Sequence, residues 1–195
     1  MLSICHQFIP FLLLASLAKG LPLEIATERT GQPIVDLGYA RYQGSALKAG
    51  VNQFLGISFA APPLGDLRWR APQDPELNRT LKQATDFAPT CVGLFGPGLS
   101  KTVNEDCLYL DVFAPSGGTA KSKLPVWYFI QGGGYAGDTD QNFNFTDVIV
   151  QSNLSIVAVQ INYRVGAFGF LASEDIRGDG NLNVGLLDQR KYGLP

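Results

Sequence analysis

The stretch VWYFIQGGGYAG, residues 126–137, places three consecutive glycines one residue behind an apolar run. The five residues before Gln131 are β-branched or aromatic, which predicts a buried strand. Glycines at a strand end let the backbone take left-handed conformations, or bring its N–H groups close to a ligand. Two ligand chemistries could use such amides. A dinucleotide pyrophosphate sits on a G-x-G-x-x-G turn, and Gly132, Gly134 and Gly137 spell that pattern. Alternatively, acyl transfer places negative charge on a tetrahedral oxygen, and preorganised backbone N–H groups in a dry pocket stabilise it.

The nucleotide reading lacks its context. That fingerprint needs a helix opening on the glycines and an acidic residue ending the next strand. Here GDTDQNFNF follows the loop, and the next strand ends in Gln160, Ile161 and Asn162. From the loop alone, an oxyanion hole and a ligand-free glycine turn weigh evenly.

No other constellation offers a complete mechanism. Ser58, Ser100, Ser116, Ser122 and Ser173 stand in no nucleophile-elbow pattern, and no S-x-x-K pattern supplies a lysine base. Asp138 and Asp140, in DTDQN, read as part of a turn, with a weak calcium contact as the alternative, and scattered carboxylates make no metal ligand set. Neither a metal nor a cofactor is expected.

The elements that must hold the loop follow from composition and pattern. With 195 residues and 46% hydrophobic content, the chain has material for one core. A net charge of -2 without any Lys/Arg run argues against nucleic acid as partner. At the N-terminus, an apolar run from Phe8 to Ala18 is too short to span a bilayer, and Ala18 and Gly20 suit a signal-peptidase site. A secreted, extracellular chain is expected, with residues 1–20 as signal peptide, residues 21–195 as the folded part, and no membrane span. The competing reading of the first residues is a buried helix or an uncleaved anchor.

Removal of the signal takes away Cys5 and His6, leaving Cys91 and Cys107 and no histidine. An oxidising compartment favours pairing these two cysteines over keeping two buried thiols. Asn78, Asn144 and Asn153 each begin an N-x-S/T sequon, in keeping with glycosylation on a secreted surface.

Between 34 and 59, IVDLGYARYQ and VNQFLGISFA alternate with glycine turns, as in a small antiparallel hairpin sheet. Residues 61–76 carry prolines that deny donors to a ladder and read as loop. CLYLDVFAP, VWYFI and SIVAVQINYR predict three further strands, the middle one apolar throughout as in a sheet covered on both faces. FTDVIVQSN between the last two reads as a helix capped by Thr146 or Asp147. Strand, crossover and buried strand point to an α/β fold.

Four blocks of sequence carry a resemblance. FLGISFAAPPLGDLRWRAP, EDCLYLDVFAP, INYRVGAFGFLA and NVGLLDQR resemble, in chain order, segments of the type-B carboxylesterase and lipase family, which includes the cholinesterases. The resemblance covers nearly everything from Ile34 to Arg190 and implies an α/β-hydrolase fold. In that fold a small antiparallel hairpin sheet leads into a central mixed sheet. The implied chemistry is hydrolysis of small-molecule or lipid carboxylic esters by a Ser, Asp or Glu, and His triad. It implies that the N–H groups of Gly133 and Gly134 receive the oxyanion, that Cys91 and Cys107 form the first disulfide, and that Arg68 or Arg70 pairs with Glu105. Gln131 stands where relatives often carry His or Tyr, a departure that bears on the pocket wall because the donors are backbone amides.

The triad itself is not in these residues. No G-x-S-x-G occurs, and His6 is the only histidine. The sequence therefore reads as the N-terminal part of such a hydrolase, truncated before the nucleophile elbow and without catalytic residues of its own. The alternative is a non-catalytic, esterase-like binding or adhesion protein.

Overall fold

A computed structural model of the chain describes residues 25–27, 31–96, 98–138 and 142–193. The expected signal peptide, residues 1–20, lies outside them, as does Asp140. Two principal sheets organise the structure. The first is a small sheet of strands β1 (Ile25–Thr27), β2 (Pro33–Asp36), β3 (Ala40–Gln43) and β6 (Asn78–Gln83), in that order. β1, β2 and β3 pair antiparallel, and β6 joins β3 in parallel.

The central sheet takes β4 (Ser45–Leu47), β5 (Val51–Ser58), β9 (Tyr109–Pro115), β10 (Val126–Ile130) and β11 (Val157–Ile161), ordered β10-β11-β9-β5-β4. β10 and β11 are parallel, whereas β11, β9, β5 and β4 pair antiparallel in succession. The expectation of one hairpin sheet over residues 34–59 is therefore half met. β2 and β3 form it, but β5 crosses into the central sheet, where it pairs with β9 and buries apolar residues on both of its faces.

α1 (Thr146–Gln151) makes the crossover between the parallel strands. Thr146 is its first helical residue rather than its cap, and Asn144 Oδ1 accepts the Thr146 N–H at 2.9 Å. α1 closes one face of the sheet, where Val51, Leu55, Phe113 and Ala158 pack with Phe145 and Ile149. The opposite face carries a second cluster around Tyr42, Ile57, Leu110, Ile161 and Tyr163. Beside it runs an apolar groove of about 500 Å³ lined by residues that include Val35, Phe54, Val112 and Val159.

β10 departs from its expected setting. Its residues are apolar, yet it is the edge of the central sheet, and Val126 and Trp127 are 60% and 48% exposed. The composition of VWYFI suits a strand covered on both faces. Among the described residues only β11 flanks it.

The remaining elements frame the end of β10. The two-residue strands β7 (Thr90–Cys91) and β8 (Val103–Asn104) pair in parallel at the base of a loop. α2 (Gly166–Phe170), α3 (Glu174–Asp179) and α4 (Val184–Gly193) follow β11. Residues 61–76 are loop with one 3-10 turn at Gly65–Leu67, as their prolines predict. No described helix is long and apolar enough to cross a membrane.

Candidate functional site

β10 ends at Ile130, and the glycines turn the chain sharply at the end of the parallel pair. Gly133, Gly134 and Tyr135 take φ values of +120°, +61° and +63°. Gly133 O accepts the N–H groups of Ala136 and Gly137 at 3.1 and 3.4 Å, closing a tight turn. A side chain at 133 has no room, since a Cβ there would lie 1.8 Å from Gly137 O. Gly134 faces open space. No acceptor among the described residues takes the N–H of Gly133 or Gly134.

Other elements pin this loop by its carbonyls. Gly166 N–H donates to Tyr135 O and Leu94 N–H to Ala136 O, both at 2.7 Å. The Tyr163 hydroxyl, just past the end of β11, donates to Gln131 O at 3.2 Å. Gln131 is turned inward. Its side chain is buried and donates through Nε2 to Asp138 Oδ1, while Asp138 Oδ2 accepts the Cys91 N–H at 2.9 Å. Burial pushes the Asp138 carboxyl up to about 6, against the lowering pull of those two hydrogen bonds. Burial likewise raises the Tyr163 phenol, and the neighbouring Asp138 charge adds to the effect. Reading DTDQN as no more than a turn misses this inward-facing carboxylate, for which its local sequence gives no signal.

Cys91 and Cys107 are bonded, with Sγ atoms 1.98 Å apart. Arg68, not Arg70, takes Glu105, through a fork of two hydrogen bonds of 2.6 and 2.8 Å. Arg68 also lies 5.7 Å from the ring centroids of Trp69 and Phe168, and Glu105 raises its already high pKa. Arg70 pairs with exposed Asp179 at 3.2 Å.

A second carboxylate–guanidinium fork lies deeper. Asp188 on α4 receives Arg164 Nε and a terminal nitrogen, each at 2.8 Å, together with the Arg164 backbone N–H at 3.0 Å. Both side chains are buried, and burial raises the Asp188 pKa despite Arg164. The pair holds α4 against the segment that leads into α2.

The expected sites that stand apart from the loop are surface features. Asn78, Asn144 and Asn153 are all exposed. Three of the serines serve local structure: Ser173 Oγ caps α3 by accepting from Ile176 N–H, Ser100 Oγ accepts from Thr102 and Val103, and Ser122 Oγ accepts from Thr119.

With this geometry in view, comparison with known proteins is decisive. The carboxylesterase family profile matches residues 31–191. The chain belongs to the carboxylesterase family. It is 37% identical over 177 residues to Lipase 2 of Geotrichum candidum, covering 74% of this chain and 31% of that protein. Secreted lipase 1 of Botryotinia fuckeliana (strain B05.10) is 36% identical over 219 residues, covering 94% of this chain and 38% of the lipase. Among solved structures, Aspergillus niger EstA superposes with a TM-score of 0.81 at 57% identity, over 84% of this chain and 32% of that one. The chain thus spans about a third of the length of the relatives it matches, and its sheets are part of an α/β-hydrolase fold. The fold brings the four sequence blocks together in pairs. The first and second meet at Arg68–Glu105, and the third and fourth at Arg164–Asp188.

Proposed function

We propose that this chain carries the oxyanion-binding part of a secreted carboxylic ester hydrolase that works by serine acyl transfer. The observation that carries the reading is the pair of N–H groups at Gly133 and Gly134 that no acceptor among the described residues takes, on a loop fixed from behind at the end of a parallel strand. Amides held in place before reaction stabilise a developing oxyanion without reorganisation. Carboxylesterase membership and the lipases among the relatives support an ester substrate, a small molecule or a lipid. The disulfide, the exposed sequon asparagines and the secreted relative support an extracellular, glycosylated protein with residues 1–20 as a signal peptide.

An oxyanion hole without nucleophile and base holds charge but forms no acyl-enzyme. The 195 residues contain no G-x-S-x-G and no histidine after His6. They should show neither burst nor turnover on p-nitrophenyl butyrate. Joined to a segment supplying the serine elbow and the histidine, the protein should hydrolyse that ester. In the joined protein Gly134→Pro removes one donor and also forces the loop out of its +61° φ, since the proline ring holds φ near about −65°, so kcat should fall by at least about 10² to 10³. Gly134→Ala keeps the N–H and meets no neighbour, so its loss should stay below about tenfold, the cost of side-chain strain at positive φ. Turnover by the 195 residues alone would overturn the reading, and a folded but inert joined protein would favour an esterase-like binding protein.

A further inference from the structure

The carboxylate of Asp138 is mostly enclosed, and no cation pairs with it among the described residues. A buried carboxylate costs free energy unless its oxygens accept strong hydrogen bonds. Both oxygens do so, and their donors come from different segments: Gln131 Nε2 and the Cys91 backbone N–H. Gln131 is the last residue before the glycines, and Cys91 is anchored by its disulfide to Cys107. Asp138 is the first residue after Gly137. The carboxylate therefore joins the entrance and the exit of the loop to a covalently fixed point.

We propose that Asp138 is a positioning residue for the glycine loop, clamping residues 132–137 between the strand end at Gln131 and the disulfide at Cys91. Its consequence for catalysis rests on the oxyanion reading above, but the clamp itself does not. Without the carboxylate, the Gln131 amide and the Cys91 N–H both lose their acceptor in a buried setting, where an unpaired polar group is costly. Among the described residues the loop then keeps its internal Gly133 O bonds, its carbonyl contacts to Leu94, Gly166 and Tyr163, and the packing of Tyr135 on Phe170. Asparagine should restore most of the clamp. Its oxygen can accept from Cys91, and its amide can donate to Gln131 Oε1 once the Gln131 amide flips, that oxygen being buried without a partner among the described residues.

Amide hydrogen exchange on the 195-residue chain, followed residue by residue, tests this directly. The informative reporters are the N–H groups of Leu94, Ala136 and Gly166, which bond to the loop or within it and not to Asp138. In Asp138→Ala these should exchange at least about tenfold faster relative to amides of β9 and β11, a local opening rather than a global one. In Asp138→Asn they should stay within about threefold of the original chain. The proposal is overturned if the three reporters are unchanged in Asp138→Ala, if they accelerate only in step with the sheet, if asparagine is as damaging as alanine, or if they are unprotected in the original chain. Because protection and not turnover is read, an inert joined protein would sink the proposed function while leaving the clamp standing.

Discussion

Two glycine-containing loops lie side by side at one end of the central sheet, joined by the Leu94 N–H to Ala136 O bond, and they use glycine in opposite ways. In residues 132–137 the backbone is determined. Gly133 has positive φ and no space for a side chain, its carbonyl takes two N–H groups, and Gln131 and Asp138 are turned inward behind it. In the disulfide loop, the described residues from 94 to 102 are all exposed, and Leu94, Phe95 and Leu99 reach 60%, 82% and 67%. A Cβ placed on Gly96 or Gly98 would meet nothing within 4 Å. Glycine content alone therefore does not mark a site. What separates these two stretches is that backbone fills the place of a side chain at Gly133 and nothing fills it at Gly96 or Gly98.

The largest expected effect breaks the determined loop. Gly133→Ala drives a methyl into Gly137 O, 1.8 Å from the ideal Cβ, at a φ of +120°. Overpacking and left-handed strain together should cost about 4 kcal/mol. Urea unfolding of variant and original chain measures it. A loss under about 1 kcal/mol, within the range of ordinary surface changes, would show that the turn relaxes freely.

The bond that separates the two loops comes next. Cys91–Cys107 closes a loop with a sequence separation of 16, and replacing both cysteines by serine should cost about 3 kcal/mol in the chain-entropy account. The exposed strip inside it should be the first site of tryptic cleavage, after Lys101, which is exposed. The nicked chain should migrate as one species until reduced and then separate into two. Chymotrypsin can cut after Phe95 in this strip or after Tyr135 in the glycine loop, and earlier cleavage at Tyr135 would reverse the ranking of the two loops.

How far these features are legible in the sequence depends on the range of the interaction. Strands β9, β10 and β11 and the Gly132–Gly134 turn rest on local pattern, so alternation and glycine spacing announce them. The disulfide follows from the count of cysteines left after the expected signal cleavage. β5 is harder, because its move into the central sheet depends on β9, more than fifty residues away at the Gly56 N–H to Asp111 Oδ1 bond. The choice of Arg68 over Arg70 for Glu105 is open in sequence, since two residues of spacing decide which guanidinium reaches it. Asp138 and the Arg164–Asp188 pair are invisible as interactions. Each is a charged residue in an ordinary-looking segment, and only the assembled fold buries it. Resemblance supplies the blocks holding Arg164 and Asp188, but not the contact.

The smallest expected effect has the opposite sign and sharpens the comparison most. Gly98 has no neighbour within 4 Å of a Cβ, and its φ lies outside the left-handed region. Alanine there should fit the folded chain unchanged. It also narrows the conformations open to the unfolded chain, so Gly98→Ala should stabilise by about 0.4–1 kcal/mol. The same substitution at Gly133 should destabilise several-fold more than this, although both residues are glycines in neighbouring loops. A urea midpoint that rises for Gly98→Ala and falls for Gly133→Ala fits slack in one loop and constraint in the other. A fall for both would mean that the disulfide loop is held as tightly as its neighbour, by contacts that its open surroundings do not show.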